Sequence, residues 1–194
     1  MRRKITPLAV LQKLSTLYHP PKTFLHFRTP LELLIVTLLS AQCTDKKVNE
    51  VTPGLFRKFG SAKAFAKADI SKLEASIRST GFYRTKARHI QMLCRMLLEK
   101  HGGNVPSTLE ELTALPGVGR KTAAIILTVI FGKNEYIAVD THVFRVARRL
   151  GLSRGKNPDK VAGDLMRGLP RKDWGRITPL LISHGRAICT AKNR

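Results

Sequence analysis

The chain has 194 residues, with 35 Lys and Arg against 13 Asp and Glu, which gives a net charge of +22. This excess is far beyond what solubility requires and predicts a polyanionic partner, with nucleic acid first and an anionic membrane surface second. The longest apolar run, Leu33 to Ala41, is too short to span a bilayer, and no signal peptide is visible. We therefore expect a cytoplasmic or nucleoid-associated protein without a membrane partner.

Apolar residues recur at helical spacing along the chain, and no run alternates as a half-buried strand would. The sequence predicts an all-α fold of many short helices. Pro30 suits the first turn of one helix, and Ser107-Thr108-Leu109-Glu110 has the pattern of a capping box before another. The predicted helices cover residues 6–18, 30–42, 45–59, 62–67, 70–79, 84–101, 107–114, 120–131, 141–150, 158–168 and 172–187.

A glycine hairpin, Leu115-Pro116-Gly117-Val118-Gly119, separates two of these helices. Glycine tolerates positive φ, so the pair permits a tight turn whose backbone N–H groups point outward. Because a helix begins directly after the hairpin, its free donors and its dipole suit a phosphate. We predict that Gly117, Val118, Gly119 and Arg120 bind the DNA backbone, with Val118 packing inward. A plain helix–turn–helix corner is the alternative, which the net charge disfavours.

Lys121 and Asp140 are the candidate catalytic residues. Lys121 lies in the first turn of the helix after the hairpin, beside Arg120. Both positive fields favour the neutral amine, which is a usable nucleophile, although a phosphate contact is the commoner role of such a lysine. Asp140 precedes the next helical stripe, so it is expected to cap that helix. One carboxylate oxygen then remains to face a site.

The chain resembles the endonuclease III-type DNA glycosylases of the helix–hairpin–helix superfamily with the Gly/Pro–Asp loop. Five motifs carry this resemblance, in the family's order and over roughly residues 25 to 190. They are Leu38–Asp45 (LLSAQCTD), Gly81–Ala87 (GFYRTKA), Leu115–Thr122 (LPGVGRKT), Ala138–Val146 (AVDTHVFRV) and His184–Arg186 (HGR).

The resemblance implies a base-excision enzyme that bends duplex DNA and flips a damaged nucleotide into a cleft between two helical lobes. By resemblance, Lys121 attacks C1′, expels the base and forms a Schiff base, after which β-elimination cuts the strand 3′ to the lesion. Asp140 resembles the carboxylate that assists the lysine and stabilises positive charge at the sugar. The implied lobes are residues 24–132, and residues 1–23 with 133–194, with Lys121 and Asp140 facing each other across the cleft.

The resemblance also implies further DNA contacts. Gln42 resembles the residue that fills the hole left by the flipped nucleotide. Tyr83, Arg84 and Lys86 resemble a second DNA-facing element that contacts the backbone. Without the family, a surface polar side chain and a solvated basic loop would be the preferred interpretations of these two segments.

Thr37 bears on the substrate. Adenine-specific mismatch glycosylases of the superfamily place a catalytic glutamate at the matching position, and no lysine is expected at position 121. The resemblance therefore favours oxidised pyrimidines in duplex DNA, and the protein is expected to act as a monomer on DNA with a damaged base or abasic site. The alternatives are a glycosylase of other lesion specificity, a non-catalytic helix–hairpin–helix DNA-binding protein and a basic RNA-binding protein.

Typical family members hold a [4Fe–4S] cluster with four cysteines. Cys189 follows His-Gly-Arg as the first of these does, whereas Cys43 and Cys94 lie in unrelated positions and are expected to be buried small hydrophobes. Because one thiolate cannot hold such a cluster, the sequence predicts that this chain, as it stands, does not bind it. Whether the other ligands follow Arg194 or the chain is a variant without the cluster stays open.

Overall fold

The computed structural model describes residues 5–192. The regular elements in this range are helices, and no strand occurs among them, so the all-α prediction is confirmed. No helix in the same range is long and apolar enough to cross a bilayer. The α-helices are α1 Pro7–Leu17, α2 Pro30–Leu39, α3 Asp45–Lys58, α4 Ala62–Ala66, α5 Ile70–Ile77, α6 Tyr83–His101, α7 Leu109–Ala114, α8 Arg120–Phe131, α9 Thr141–Arg149, α10 Pro158–Arg167 and α11 Trp174–Ala187. Short 3₁₀ turns cover Arg78–Thr80 and Arg171–Asp173.

Side-chain caps explain where many of the helices begin, because each cap accepts a hydrogen bond from an otherwise unpaired N–H of the first turn. The predicted capping box before α7 lies one residue later than expected. Thr108 is the cap, its Oγ1 accepts from the Glu111 N–H at 3.2 Å, and its hydroxyl donates to the Glu111 carboxylate at 2.6 Å. The side-chain caps are Thr6, Thr29, Thr44, Ser61, Asp69, Thr108, Asp140 and Asn157.

The chain divides into two compact units. The first, called the hairpin unit, comprises residues 24–126. The second, called the terminal unit, comprises the described residues up to Thr23 together with those from Leu127 onward. The division lies at residue 126, inside α8, whereas the sequence predicted a boundary at 132, after the end of this helix.

The hairpin unit is organised around α6, which packs against α2, α4 and α5. Residues 33–39 of α2 are all buried, so this helix is covered on every side. Full burial of a large aliphatic or aromatic side chain stabilises a fold by about 1.5–3 kcal/mol. The largest fully buried side chains of this unit include Leu34, Ile35, Leu55, Phe65, Leu73, Ile90 and Leu97.

The terminal unit has its own apolar core. In it α9 packs against α11, α1 packs against α11, and α10 packs against α9. The core therefore joins the start of the chain to its last helices, although they are far apart in sequence. Its buried residues include Leu11, Leu14, Ile137, Val143, Val146, Val161, Leu165, Ile177 and Leu181.

Candidate nucleic-acid interface and catalytic residues

The hairpin before α8 takes a tight turn at one of its two glycines. Gly117 has a φ of 77°, whereas Gly119 lies outside the left-handed region, so the tight turn uses the positive φ of the first glycine. The Val118 N–H donates to the Leu115 carbonyl at 3.1 Å and closes the turn. Leu115 and Val118 are buried, which anchors the hairpin while leaving both glycines exposed.

The side chain of His89 in α6 is a second reason why position 117 requires a glycine. A Cβ atom built on Gly117 would lie 2.7 Å from the Nδ1 atom of His89, which is far inside van der Waals contact. A Cβ on Gly119 would meet nothing within 4 Å. Sequence reasoning missed this contact because His89 and Gly117 lie on different elements.

The N-terminus of α8 presents donors toward solvent. The first residues of any helix have N–H groups without an intrahelical acceptor. Here these are Gly119, Arg120 and Lys121, and all three residues are exposed. The first turn carries no acidic residue. Together with the positive end of the helix dipole, this arrangement suits a phosphate group.

Lys121 lies at the surface of the hairpin unit. It is exposed in the first turn of α8, directly after Arg120. The residue is therefore open to solvent and is not part of the unit's core. The geometry fits both a nucleophile and a phosphate contact.

Asp140 belongs to the terminal unit and caps α9, as the sequence predicts. Its Oδ1 atom accepts a hydrogen bond from the Val143 N–H at 2.7 Å, and the residue is half-buried. The preceding residues Ile137, Ala138 and Val139 are buried and hold the segment in place. The cap orients the carboxylate, so this group is preorganised for any charge that it stabilises.

Gln42 lies in a turn and not at the end of a helix. Helix α2 ends at Leu39, although the sequence predicted residue 42. The Ser40 hydroxyl donates to the Thr37 carbonyl at 2.8 Å as the chain reverses. Gln42 then adopts a φ of 52° and is exposed. A non-glycine residue in the left-handed region costs about 1–2 kcal/mol, and such strain often marks functional positions.

Phe82 is a second strained residue, and sequence reasoning did not single it out. Its φ is 48°, and 64% of its surface is exposed, immediately before α6. Helical spacing from the buried Ile90 and Leu97 places residue 82 on the apolar stripe of α6, so no local pattern predicted its exposure. The neighbouring Tyr83 is half-buried, and the Arg84 guanidinium lies 5.5 Å from its ring centroid.

Lys86 requires a correction, because its ammonium does not point to solvent. The residue is 5% exposed, and its Nζ donates to the carbonyls of Leu39 and Thr80, each at 2.8 Å. Burial lowers the pKa of this lysine below its usual value. Because its ammonium donates to these two carbonyls, it is not free for the phosphate contact that the sequence predicted. Lys86 therefore has a structural role in the hairpin unit.

Arg145, a residue of a family motif, joins α9 to the end of α11. Arg145 donates from Nη2 to the Gly185 carbonyl at 3.0 Å and to the Nδ1 atom of His142 at 3.1 Å. Its Nε donates to the Cys189 carbonyl at 3.1 Å. The structure therefore gives Arg145 the task of holding the end of α11.

The cysteines do not form a cluster site. Cys189 is half-buried, and its Sγ atom accepts from Arg149 at 3.4 Å. Within residues 5–192, no group of three or more His, Cys, Asp or Glu is placed to hold a metal ion. Cys94 is buried as predicted, whereas Cys43 is only half-buried. One thiolate at the family position does not fit a four-cysteine cluster.

Comparison with known proteins decides the family. A family model described as HhH-GPD superfamily base excision DNA repair protein matches residues 35–171. The chain belongs to this superfamily. Among its curated relatives, endonuclease III of Synechocystis sp. is 45% identical over 183 residues, covering 94% of this chain and 84% of the relative. Endonuclease III of Escherichia coli K12 is 41% identical over 189 residues, covering 97% and 89%.

Solved structures agree with this membership of the HhH-GPD superfamily. A trapped endonuclease III–DNA covalent intermediate matches with a TM-score of 0.90 and 42% identity, covering 97% of this chain and 90% of that one. A non-covalent endonuclease III–DNA complex matches with a TM-score of 0.91 and 41% identity, covering 97% and 89%. A thermostable thymine-DNA glycosylase, at 23% identity and a TM-score of 0.79, shares the fold. The endonuclease III family resemblance is therefore confirmed.

Proposed function

We propose that the chain is an endonuclease III-type DNA N-glycosylase and abasic-site lyase that removes oxidised pyrimidines from duplex DNA in base excision repair. The observation that carries this proposal is the exposed Lys121 amine at the N-terminus of α8, directly behind the Gly117 hairpin. The structural relative trapped as a covalent intermediate with DNA supports a nucleophile in this family.

In the proposed reaction, the neutral amine of Lys121 attacks C1′ of the damaged nucleotide. The N-glycosidic bond breaks, its electron pair leaves with the base, and the sugar opens to a protonated Schiff base on the lysine. Loss of a C2′ proton then expels the 3′ phosphate oxygen by β-elimination, and water releases the lysine. Asp140 stabilises the positive charge that develops at the sugar, and its cap to Val143 keeps the carboxylate oriented.

The proposed DNA contacts recognise the phosphate backbone and the shape of the duplex, and they do not depend on the base sequence. The exposed N–H groups at the start of α8 bind one phosphate, and the net charge of +22 steers the duplex toward the protein. Gln42 occupies the space that the flipped nucleotide leaves. The exposed ring of Phe82 acts as an apolar wedge between base steps, which is a device that kinks duplex DNA.

Thr37 supports oxidised pyrimidines over adenine as the lesion. Its side chain is buried, and its hydroxyl donates to the Leu33 carbonyl at 2.7 Å within α2. The position therefore holds no carboxylate for adenine excision.

The remaining parts of the proposal concern architecture, cofactor and location. The hairpin unit is one DNA-binding lobe and carries Lys121, and the terminal unit is the other and carries Asp140. The protein acts as a monomer in the cytoplasm, at the nucleoid if the source is bacterial. The 194 residues contain three cysteines, so this chain does not bind the family's [4Fe–4S] cluster. Iron analysis of the purified chain, with an iron-to-protein ratio near zero expected, tests the last point.

Borohydride trapping tests the proposed chemistry. Wild type, Lys121→Ala and Lys100→Ala are incubated with duplexes that carry an abasic site, thymine glycol or no damage. Lys100 is the matched control because it is an exposed lysine in the last turn of α6. We expect covalent adducts on both damaged duplexes with wild type and the control, and none with Lys121→Ala. Undamaged duplex binding should survive in every variant, because one charge contributes little to an interface with many phosphate contacts.

Two results would reject the assignment. An adduct formed by Lys121→Ala at the wild-type rate would place the nucleophile elsewhere. No adduct from folded, DNA-binding wild type would make the protein a monofunctional glycosylase or a non-catalytic helix–hairpin–helix DNA-binding protein.

A further inference from the structure

A buried lysine joins two segments that are far apart in sequence. Lys86, in the first turns of α6, donates through its Nζ to the carbonyls of Leu39 and Thr80, each at 2.8 Å. Residues 39 and 86 are 47 positions apart. An ammonium this well buried is tolerated only where hydrogen bonds replace its lost hydration, and these two carbonyls supply them.

Both carbonyls stand at the ends of helical segments. Leu39 is the last residue of α2, and Thr80 is the last residue of the 3₁₀ turn before Gly81. Carbonyls at a helix C-terminus lack intrahelical partners and carry the negative end of the dipole. One ammonium group therefore caps two helical ends at once.

Each capped end leads directly into a strained loop. Gln42 lies three residues after Leu39 and has a φ of 52°, and Phe82 lies two residues after Thr80 and has a φ of 48°. Among the described residues, these two are the non-glycine positions with positive φ. Such conformations persist only where the surrounding structure holds them. Both side chains are exposed, so the strain displays them toward solvent and does not serve core packing.

We propose that Lys86 is a positioning residue, which fixes the Gln42 loop and the Phe82 loop relative to each other so that both side chains enter the duplex together at the flipped nucleotide. The inference rests on the proposed function and deepens it. The lysine touches no DNA and acts through the two loops whose bases it joins.

The variant that tests this proposal is Lys86→Met, which keeps most of the length of the side chain and removes every donor. Lys100→Met is the matched control, because it removes an exposed lysine from the same helix. The first measurement is the single-turnover rate of base release and adduct formation on a thymine glycol duplex. The second is the fluorescence of 2-aminopurine placed next to the lesion, which rises when the stack opens.

We expect Lys86→Met to lower the single-turnover rate about 100-fold, the scale of loss that a small misplacement of the substrate produces. The 2-aminopurine response should fall with it, while affinity for undamaged duplex and the rates of Lys100→Met stay at wild-type values. On a duplex whose abasic site faces a one-nucleotide gap, Lys86→Met should form the adduct at close to the wild-type rate. In that duplex the enzyme has no opposing base to displace.

A double-mutant cycle separates positioning from general stability. If Lys86 acts through the two loops, Lys86→Met should add little to the loss already caused by Gln42→Ala and Phe82→Ala together, taken as one change in the cycle. Thermal melting shows whether each variant folds. If Lys86→Met does not fold, the same measurements are made on Lys86→Gln, which keeps one donor group.

Several outcomes would overturn the inference. They are a wild-type rate in Lys86→Met, additive losses in the cycle, equal losses of rate and of undamaged-duplex affinity, or failure of both Lys86 variants to fold while Lys100→Met folds. If wild type itself forms no adduct, the proposed function fails. The 2-aminopurine response of the lesion duplex then still reports loop entry and decides the role of Lys86.

Discussion

At the residue scale, the Asp140 carboxylate caps α9, and we propose that it also stabilises positive charge at the sugar. Asp140→Asn keeps an oxygen that accepts from the Val143 N–H but removes the charge. We expect turnover on thymine glycol duplex to fall by about 100-fold or more, as when a preorganised electrostatic group is removed from other enzymes. The melting temperature should change little, since the cap is retained.

Asp140→Ala is the matched comparison, because it removes both the charge and the cap. It should lose activity as Asp140→Asn does and also lose about 1 kcal/mol of unfolding free energy. Equal activity in wild type and Asp140→Asn, measured at matched DNA occupancy, would leave Asp140 as a helix cap alone.

The three cysteines differ in burial, and burial decides their reactivity. Cys94 is fully buried in α6, and this burial raises the pKa of its thiol to about 12. Because the thiolate is the reactive form, Cys94 should resist a disulfide reagent at pH 8, whereas the half-exposed Cys43 and Cys189 react. Thiol titration of native and guanidinium-denatured protein, followed by peptide mapping, measures this. Rapid labelling of Cys94 in the native protein would contradict the packing of α6.

At the element scale, the hairpin offers two glycines with opposite requirements. Gly117→Ala places a side chain at a φ of 77° and against His89, so it should lower the unfolding free energy by more than about 1–2 kcal/mol. Gly119→Ala meets open space and should leave stability near the wild-type value. Urea denaturation of both variants measures the difference. Equal stability of the two would show that the turn does not depend on the left-handed residue.

The two variants should also separate folding from binding. Gly119 lies where we propose that a phosphate approaches the helix N-terminus, so any loss in Gly119→Ala should appear in duplex affinity. A stability loss in Gly119→Ala without a change in affinity would argue against a phosphate at this helix end.

At the scale of the whole molecule, the net charge of +22 makes the affinity for DNA depend on salt. A protein that contacts 6–10 phosphates loses about 10³–10⁵-fold in affinity between 50 and 200 mM salt. We expect a loss in this range for undamaged duplex, measured by fluorescence anisotropy. The rate of the chemical step in the bound complex should change far less. A salt-independent affinity would exclude backbone binding as the main source of affinity.

The sequence by itself determined the helices, the hairpin and the two candidate catalytic residues. Apolar periodicity and caps act within one or two turns of the chain, so they predicted most helix bounds to within a few residues. The cap at Asp140 and the place of Lys121 in the first turn of α8 were predictable for the same reason. The order of motifs along the chain indicated the family.

Only the tertiary structure decided the positions that depend on distant residues. The ammonium of Lys86 became structural because Leu39 and Thr80 bring carbonyls to it. The end of α2 at Leu39, and the left-handed backbone that displays Gln42 and Phe82, also escaped local patterns. Such features follow from which groups meet after folding, and the spacing of residues along the chain does not contain that information.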